Sequence, residues 1–155
     1  MSFAVQNHAT TRVEQAAGHA NVESRIVLSL AVMADASKRM AEDGSRFNTL
    51  EFASENKIPV RLLHQVVERL MKAGLMVKVE GDPHEYVMAR APSSVEVTDV
   101  LNVVMQTGSS PEELGFGHLD PRLAGVLTQS SESVADSLQH LNIQDLAEDD
   151  ERSHG

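Results

Sequence analysis

The chain has no cysteine and no tryptophan in 155 residues, and aromatic side chains make up only 3% of it. Without Cys there are no disulfides, no thiolate zinc sites, no iron–sulfur ligation and no cysteine catalysis. With so few rings, a core drawn from the 41% apolar content must be built from Leu, Val, Ala and Met. No apolar run approaches the roughly 20 residues that a helix needs to cross a bilayer. The N-terminus lacks the charged-then-apolar pattern of a signal peptide. The expectation is a chain that works in the cytoplasm. No internal repeat is present.

A basic surplus is also missing. Net charge is −10, and it is unevenly spread. Residues 1–47 hold five basic and five acidic side chains, residues 48–106 six and eight, and residues 107–155 two and ten. Non-specific affinity for DNA rests on Lys and Arg contacts to phosphate. This balance therefore argues against nucleic acid and for a protein partner or a homodimer.

The patterning that is present predicts an α-rich chain with a small β wing. Residues 1–20 read as an arm or frayed helix, 21–106 as a winged-helix domain, and 107–155 as a loop, a helix and an acidic tail. From Asn21, a good N-cap, the stripe Ile26, Leu30, Met33 and Met40 predicts a helix that Asp43-Gly44-Ser45 stops. Asn48 with Glu51 resembles a capping box opening a short helix, with Phe52 and Ala53 inward. Pro59 falls in the first turn of the next helix, whose inner face is Leu62, Leu63, Val66, Val67 and Leu70. Gly74 is placed to end that helix.

Two strands, Leu75–Val79 and Glu85–Met88, follow around a Gly81–His84 turn. Val95 and Val97 suggest a brief further strand, and Thr98 a cap for a helix through Met105. Asp120-Pro121 opens a last long helix carrying Leu123, Leu127, Val134, Leu138 and Leu141. That stripe is either a dimerisation seam or a face packed on the winged helix, and its serine gaps favour packing. Beyond Ile143 and Leu146 the chain reads as tail.

The outer face of the second winged-helix helix presents Arg61, His64, Gln65, Glu68 and Lys72. In a DNA reader these positions face the major groove, where Arg and Gln bond base edges. The seven histidines (8, 19, 64, 84, 118, 140 and 154) show no metal-ligand spacing and read as surface residues. No serine sits in a nucleophile elbow and no Gly-rich loop cradles phosphate, so no catalytic residue, cofactor or metal is expected.

Two families are similar in text. Phe52-Ala53, Ile58-Pro59, Leu70, Ala73-Gly74-Leu75, Tyr86 to Arg90, Pro92 and Thr98-Asp99-Val100 resemble the winged-helix repressors that include the iron–sulfur regulator IscR and the nitric-oxide sensor NsrR. That resemblance implies DNA binding, a dimer through a long helix after the wing, and a cysteine-ligated cluster. The chain departs from it by having no cysteine and by placing His84-Glu85 where a glycine pair belongs. Ser2 to Asn7, Arg25–Met40 and Leu138–Asp145 extend a second resemblance, to the soluble region of the YihY/BrkB inner-membrane proteins once labelled ribonuclease BN. It implies membrane helices upstream of Met1 and a place at the cytoplasmic face of the bacterial inner membrane. With the acidic balance, the first expectation is a non-catalytic interaction module of a YihY/BrkB-like protein. The alternative is a cysteine-free DNA-binding regulator of the IscR-like type.

Overall fold

The computed structural model describes residues 22–106, 113–138 and 141–154, so the arm expected at 1–20 and the cap expected at Asn21 lie outside the described residues. Helix α1 (Val22–Glu42) leads through β1 (Phe47–Asn48) into α2 (Thr49–Asn56) and α3 (Val60–Lys72). Strands β2 (Met76–Lys78) and β3 (Glu85–Met88), a 3-10 turn at Pro92–Ser94 and α4 (Val97–Met105) follow. A second 3-10 turn (Phe116–His118), α5 (Arg122–Leu138) and α6 (Ile143–His154) complete the order. This is a mainly helical winged helix-turn-helix with a small antiparallel sheet.

Local chemistry accounts for the central boundaries. The Asn48 side chain accepts from the Glu51 N–H at 3.0 Å, capping α2. Pro59 stands just outside α3, and its carbonyl accepts from the Leu63 N–H at 3.1 Å. At the other end of α3 the chain forms a Schellman turn: Leu75 N–H donates to the Leu70 carbonyl and Gly74 N–H to that of Met71, both at 3.0 Å. Gly74 takes φ 79°, a left-handed conformation that glycine adopts without a Cβ penalty. The turn delivers Leu75 and Met76 into the core and starts the wing.

The sheet runs β1-β3-β2, all antiparallel, with Met76 opposite Met88 and Phe47 opposite Tyr86. Strand β1 was not expected from sequence. It is two residues long, and its partner lies far along the chain. Phe47 brings its ring to within 5.1 Å of Phe52, and both are buried. Leu63, Val66, Val67 and Leu70 of α3 close the core from one side, as expected, with Leu62 half-buried.

Helix α1 corrects one expectation. Its buried side is Leu28, Ser29, Val32, Met33, Ala36 and Ser37, whereas Val27 and Met40 are exposed. Apolar residues occupy more than one face of α1, so periodicity left its phase undetermined. Packing decided it: the helix touches α3, α4, α6 and the sheet. The two serines on the buried side are small enough for close helix approach. Ser29 is satisfied within α1, its hydroxyl donating to the Arg25 carbonyl at 2.7 Å.

The cap of α4 is also corrected. Glu96 is the N-cap, paired reciprocally with Asp99, and Thr98 lies inside the helix. Val95 to Val97 does not form a strand of its own. It meets the returning chain, Ile143 N–H donating to the Val95 carbonyl at 2.9 Å and Val97 N–H to the Leu141 carbonyl at 2.8 Å.

That return carries the largest correction. The segment after Asn142 is helical and not simply tail. Asn142 and Asp145 cap each other, at 2.8 and 3.0 Å, and Ile143 is fully buried. α6 packs chiefly on α1 and the Pro92–Ser94 turn.

Candidate nucleic-acid interface

Stepping 3.6 residues per turn from the buried Leu63–Leu70 side of α3 puts Arg61, Gln65, Glu68 and Lys72 on the opposite side. All four are exposed, as are His64 and Arg69 on the flanks. The strong segregation follows from the sequence: bulky apolar residues recur at three- and four-residue intervals, and charged or amide residues fill the gaps. The helix-turn-helix geometry then aims this polar face outward beside the wing.

The acidic residues counted against DNA are disposed differently from what their number suggests. Glu68 pairs with Lys72 one turn on, at 3.4 Å, both well exposed. Glu85 of the wing meets Arg46 at 3.1 Å. Asp82 accepts the His84 N–H at 2.8 Å inside the wing turn. Glu96 and Asp99 cap α4. The excess of carboxylates in residues 48–106 is thus partly absorbed by caps, turns and ion pairs. The α3 helix itself carries Arg61, Arg69 and Lys72 against Glu68 alone.

His64 and His84 were read as separate surface histidines, and the fold brings them together. Their ring centres lie 6.2 Å apart with planes 10° from parallel. His64 Nε2 also comes within 3.4 Å of the Thr49 hydroxyl, and Thr49 is fully buried. The Nδ1 atom of His84 is buried without a hydrogen-bond partner among the described residues. His64 therefore lies on the side of α3 nearest the wing, off the centre of the exposed face.

Sequence reasoning missed Arg69, Arg46 and Lys78 as exposed cations around this face. Arg69 was legible, since it lies one turn before Lys72 and Ala73 on a helix already recognised. Arg46 was not, because its partner Glu85 lies 39 residues away.

Helix α5 is the second unusual surface. None of its residues is buried; Leu123, Leu127 and Val134 are 54%, 61% and 44% exposed, and only Leu138 is half-buried. Leu141, just beyond, is half-buried. The stripe, open in the sequence between a dimerisation seam and a packing face, is largely uncovered in this structure, with α5 touching the body at α4.

A winged helix with an exposed polar recognition helix and a long unburied helix after the wing defines a class, the winged-helix transcriptional regulators. Residues 22–149 match the Rrf2 family model, described as iron-dependent transcriptional regulator, and the chain belongs to that family. No curated protein matches the sequence. Among solved structures, CymR of Staphylococcus aureus is similar at 22% identity and TM-score 0.60, over 81% of this chain and 96% of that one. IscR of T. potens gives 21% and 0.63, over 85% and 89%. CymR of B. subtilis, the global cysteine regulator, gives 19% and 0.57, over 81% and 94%. At these identities the structures support the shared fold.

Family membership corrects the expected partner. Transcriptional regulators act on DNA, so nucleic acid takes precedence over a protein partner, and the bare charge count misled. The family is one of regulators, not enzymes. The YihY/BrkB resemblance and its membrane setting find no support in the family match. No helix among the described residues is long and apolar enough to cross a membrane.

Proposed function

We propose that the chain regulates transcription by placing α3 in the major groove of its DNA site. Arg61 and Gln65 read base edges there, Lys72 and Arg69 hold phosphates, and the β2–β3 wing lies alongside. The observation that carries this is the exposed outer face of α3, with cations on both sides of Gln65 and its one acid, Glu68, paired to Lys72. His64 supports the face from its edge. In this reading α3 and the wing contact DNA, α5 assembles the protein, and α6 belongs to the body that carries α3.

Assembly is the second part of the proposal. Helices in proteins draw most of their stability from packing an apolar face, and α5 exposes Leu123, Val126, Leu127 and Val134 together. A second copy supplies the missing apolar surface through Leu123, Leu127, Val134, Leu138 and Leu141. Small Ser130 and Ser131 allow close approach between helices. A two-fold dimer would present two recognition helices to a palindromic site.

Selection from a random-site duplex pool at moderate salt tests the reading. One enriched, palindromic sequence is expected. Arg61→Ala or Gln65→Ala should cost about 1–3 kcal/mol of discrimination at one position of each half-site. Lys72→Ala should weaken binding across sequences and lower the salt dependence by about one unit of slope. Failure to enrich any sequence would sink the proposal.

A further inference from the structure

The family is described as iron-dependent, and the donor set of this chain does not fit iron. We infer that this member is decoupled from iron, so that neither ferrous ion nor an iron–sulfur cluster sets its affinity for DNA. The inference rests on the DNA-regulator reading and concerns what controls it.

Clusters are held by cysteine thiolates, and even the type that substitutes two histidines keeps two cysteines. The chain has no cysteine at all. A mononuclear ferrous site needs no sulfur, but it typically gathers two histidines and a carboxylate on one face of the metal. Among the described residues no three His, Asp or Glu side chains converge in that way.

Among the described residues, several individual donors also face protein groups. His64 directs Nε2 toward the Thr49 hydroxyl, and His84 buries Nδ1 in the body of the protein. Their rings lie nearly parallel, 6.2 Å apart at their centres, with no carboxylate completing a three-donor group among the described residues. In the segment leading to α5, His118 Nδ1 lies 2.8 Å from the Gly115 carbonyl. Asp120, beside it, accepts from the Arg122 backbone N–H and Nε at 2.9 Å and is held by the guanidinium. The hydrogen bonds from Arg122 keep this carboxyl below the usual carboxylate range. A cation at Asp120 would have to displace that Arg.

The test uses the full, untagged chain handled without oxygen. It is incubated with ferrous iron alone and with ferrous iron plus sulfide and reductant, then desalted. Metal content and the visible spectrum are read, and DNA affinity is measured in ferrous iron and in chelator with the selected duplex. The expected result is no retained iron, no visible absorption band and the same affinity in both conditions. Stoichiometric iron, a cluster spectrum, or an affinity change in the range of about 5–150-fold typical of effectors would overturn the inference. If no duplex is selected, the regulator reading fails by itself, and metal content and spectrum still decide the iron question.

Discussion

Thr49 and His84 are joined at one carbonyl oxygen. The Thr49 N–H donates to the His84 carbonyl at 2.9 Å, and its hydroxyl approaches the same oxygen at 3.4 Å. Thr49 is the first residue of α2, and His84 closes the wing turn. The start of the helix-turn-helix and the tip of the wing are therefore one junction, with His64 of α3 set against it. The helix-turn-helix and the wing are held to each other at this point.

Thr49→Val keeps the shape and the backbone bond but removes the hydroxyl. It should cost about 0.5–1.5 kcal/mol, the net worth of an ordinary hydrogen bond. Urea unfolding measures the loss. No loss would mean that the backbone bond alone holds the junction.

Leu70 and Gln65 contrast the two sides of α3. Leu70 is fully buried, and Leu70→Ala should cost about 2–5 kcal/mol through lost contacts and a cavity. Gln65→Ala on the outer face should stay within about 0.5 kcal/mol. Equal costs in urea melts would show that the sides are wrongly assigned. Gly74→Val should also destabilise, because a β-branched residue strains at φ 79°.

Ile143 tests the last helix. It is fully buried, and its N–H closes on the Val95 carbonyl. Ile143→Ala should cost about 2–5 kcal/mol by the same cavity argument. A change near zero would return this segment to the status of a tail.

If α5 is the proposed dimer seam, the double substitution Leu123→Glu with Leu127→Glu should leave only monomer in sedimentation where the unaltered chain gives a dimer. Thermal or urea stability of the monomeric body should move by no more than about 0.5 kcal/mol, as for exposed sites in general. A dimer that survives the pair would move the assembly surface elsewhere.

Asp43 supplies a pH dependence with a definite sign. Hydrogen bonds from Ser45, at 2.9 Å from its backbone N–H, hold the Asp43 carboxyl below the usual range. A depressed folded-state value means its stabilisation is present above the unfolded-state value near 3.9. It is lost as pH falls through the folded value. Asp43→Asn should flatten the acid limb of the stability profile below about pH 4, and an unchanged limb would exclude the turn as a contributor. The group is fully exposed, so the effect is confined to that limb.

Local rules sufficed where one residue governs one bond. Asn48 as a cap, Gly74 as a stop and the apolar side of α3 were all readable, because each depends on neighbours within one or two turns. Strand β1 was not, since Phe47 is held by Tyr86 across the fold. The phase of α1 failed for a related reason: Ser29 and Ser37 are buried by neighbouring elements while Val27 is left outside. α6 was hidden by its charge, because AEDDERSHG resembles tail unless Ile143 has a socket. The exposed outer face of α3 was legible residue by residue, but its electrostatics were not. A net charge adds Glu96 and Asp99 to the count without knowing that they cap a helix.

The bonds that join Val95 and Val97 to Ile143 and Leu141 make α5 an excursion from a closed body. Among the described residues, the body runs to Gln106 and resumes at Leu141. In between lies a rod of roughly 25 Å, at 1.5 Å per residue, that contributes no buried side chain to the body. Evolution can then alter the two parts independently. Residues of α5 can change without disturbing the packed core beneath α3. If α5 is the proposed dimer seam, removing or adding whole turns of this rod should leave a folded body and alter the spacing between paired copies.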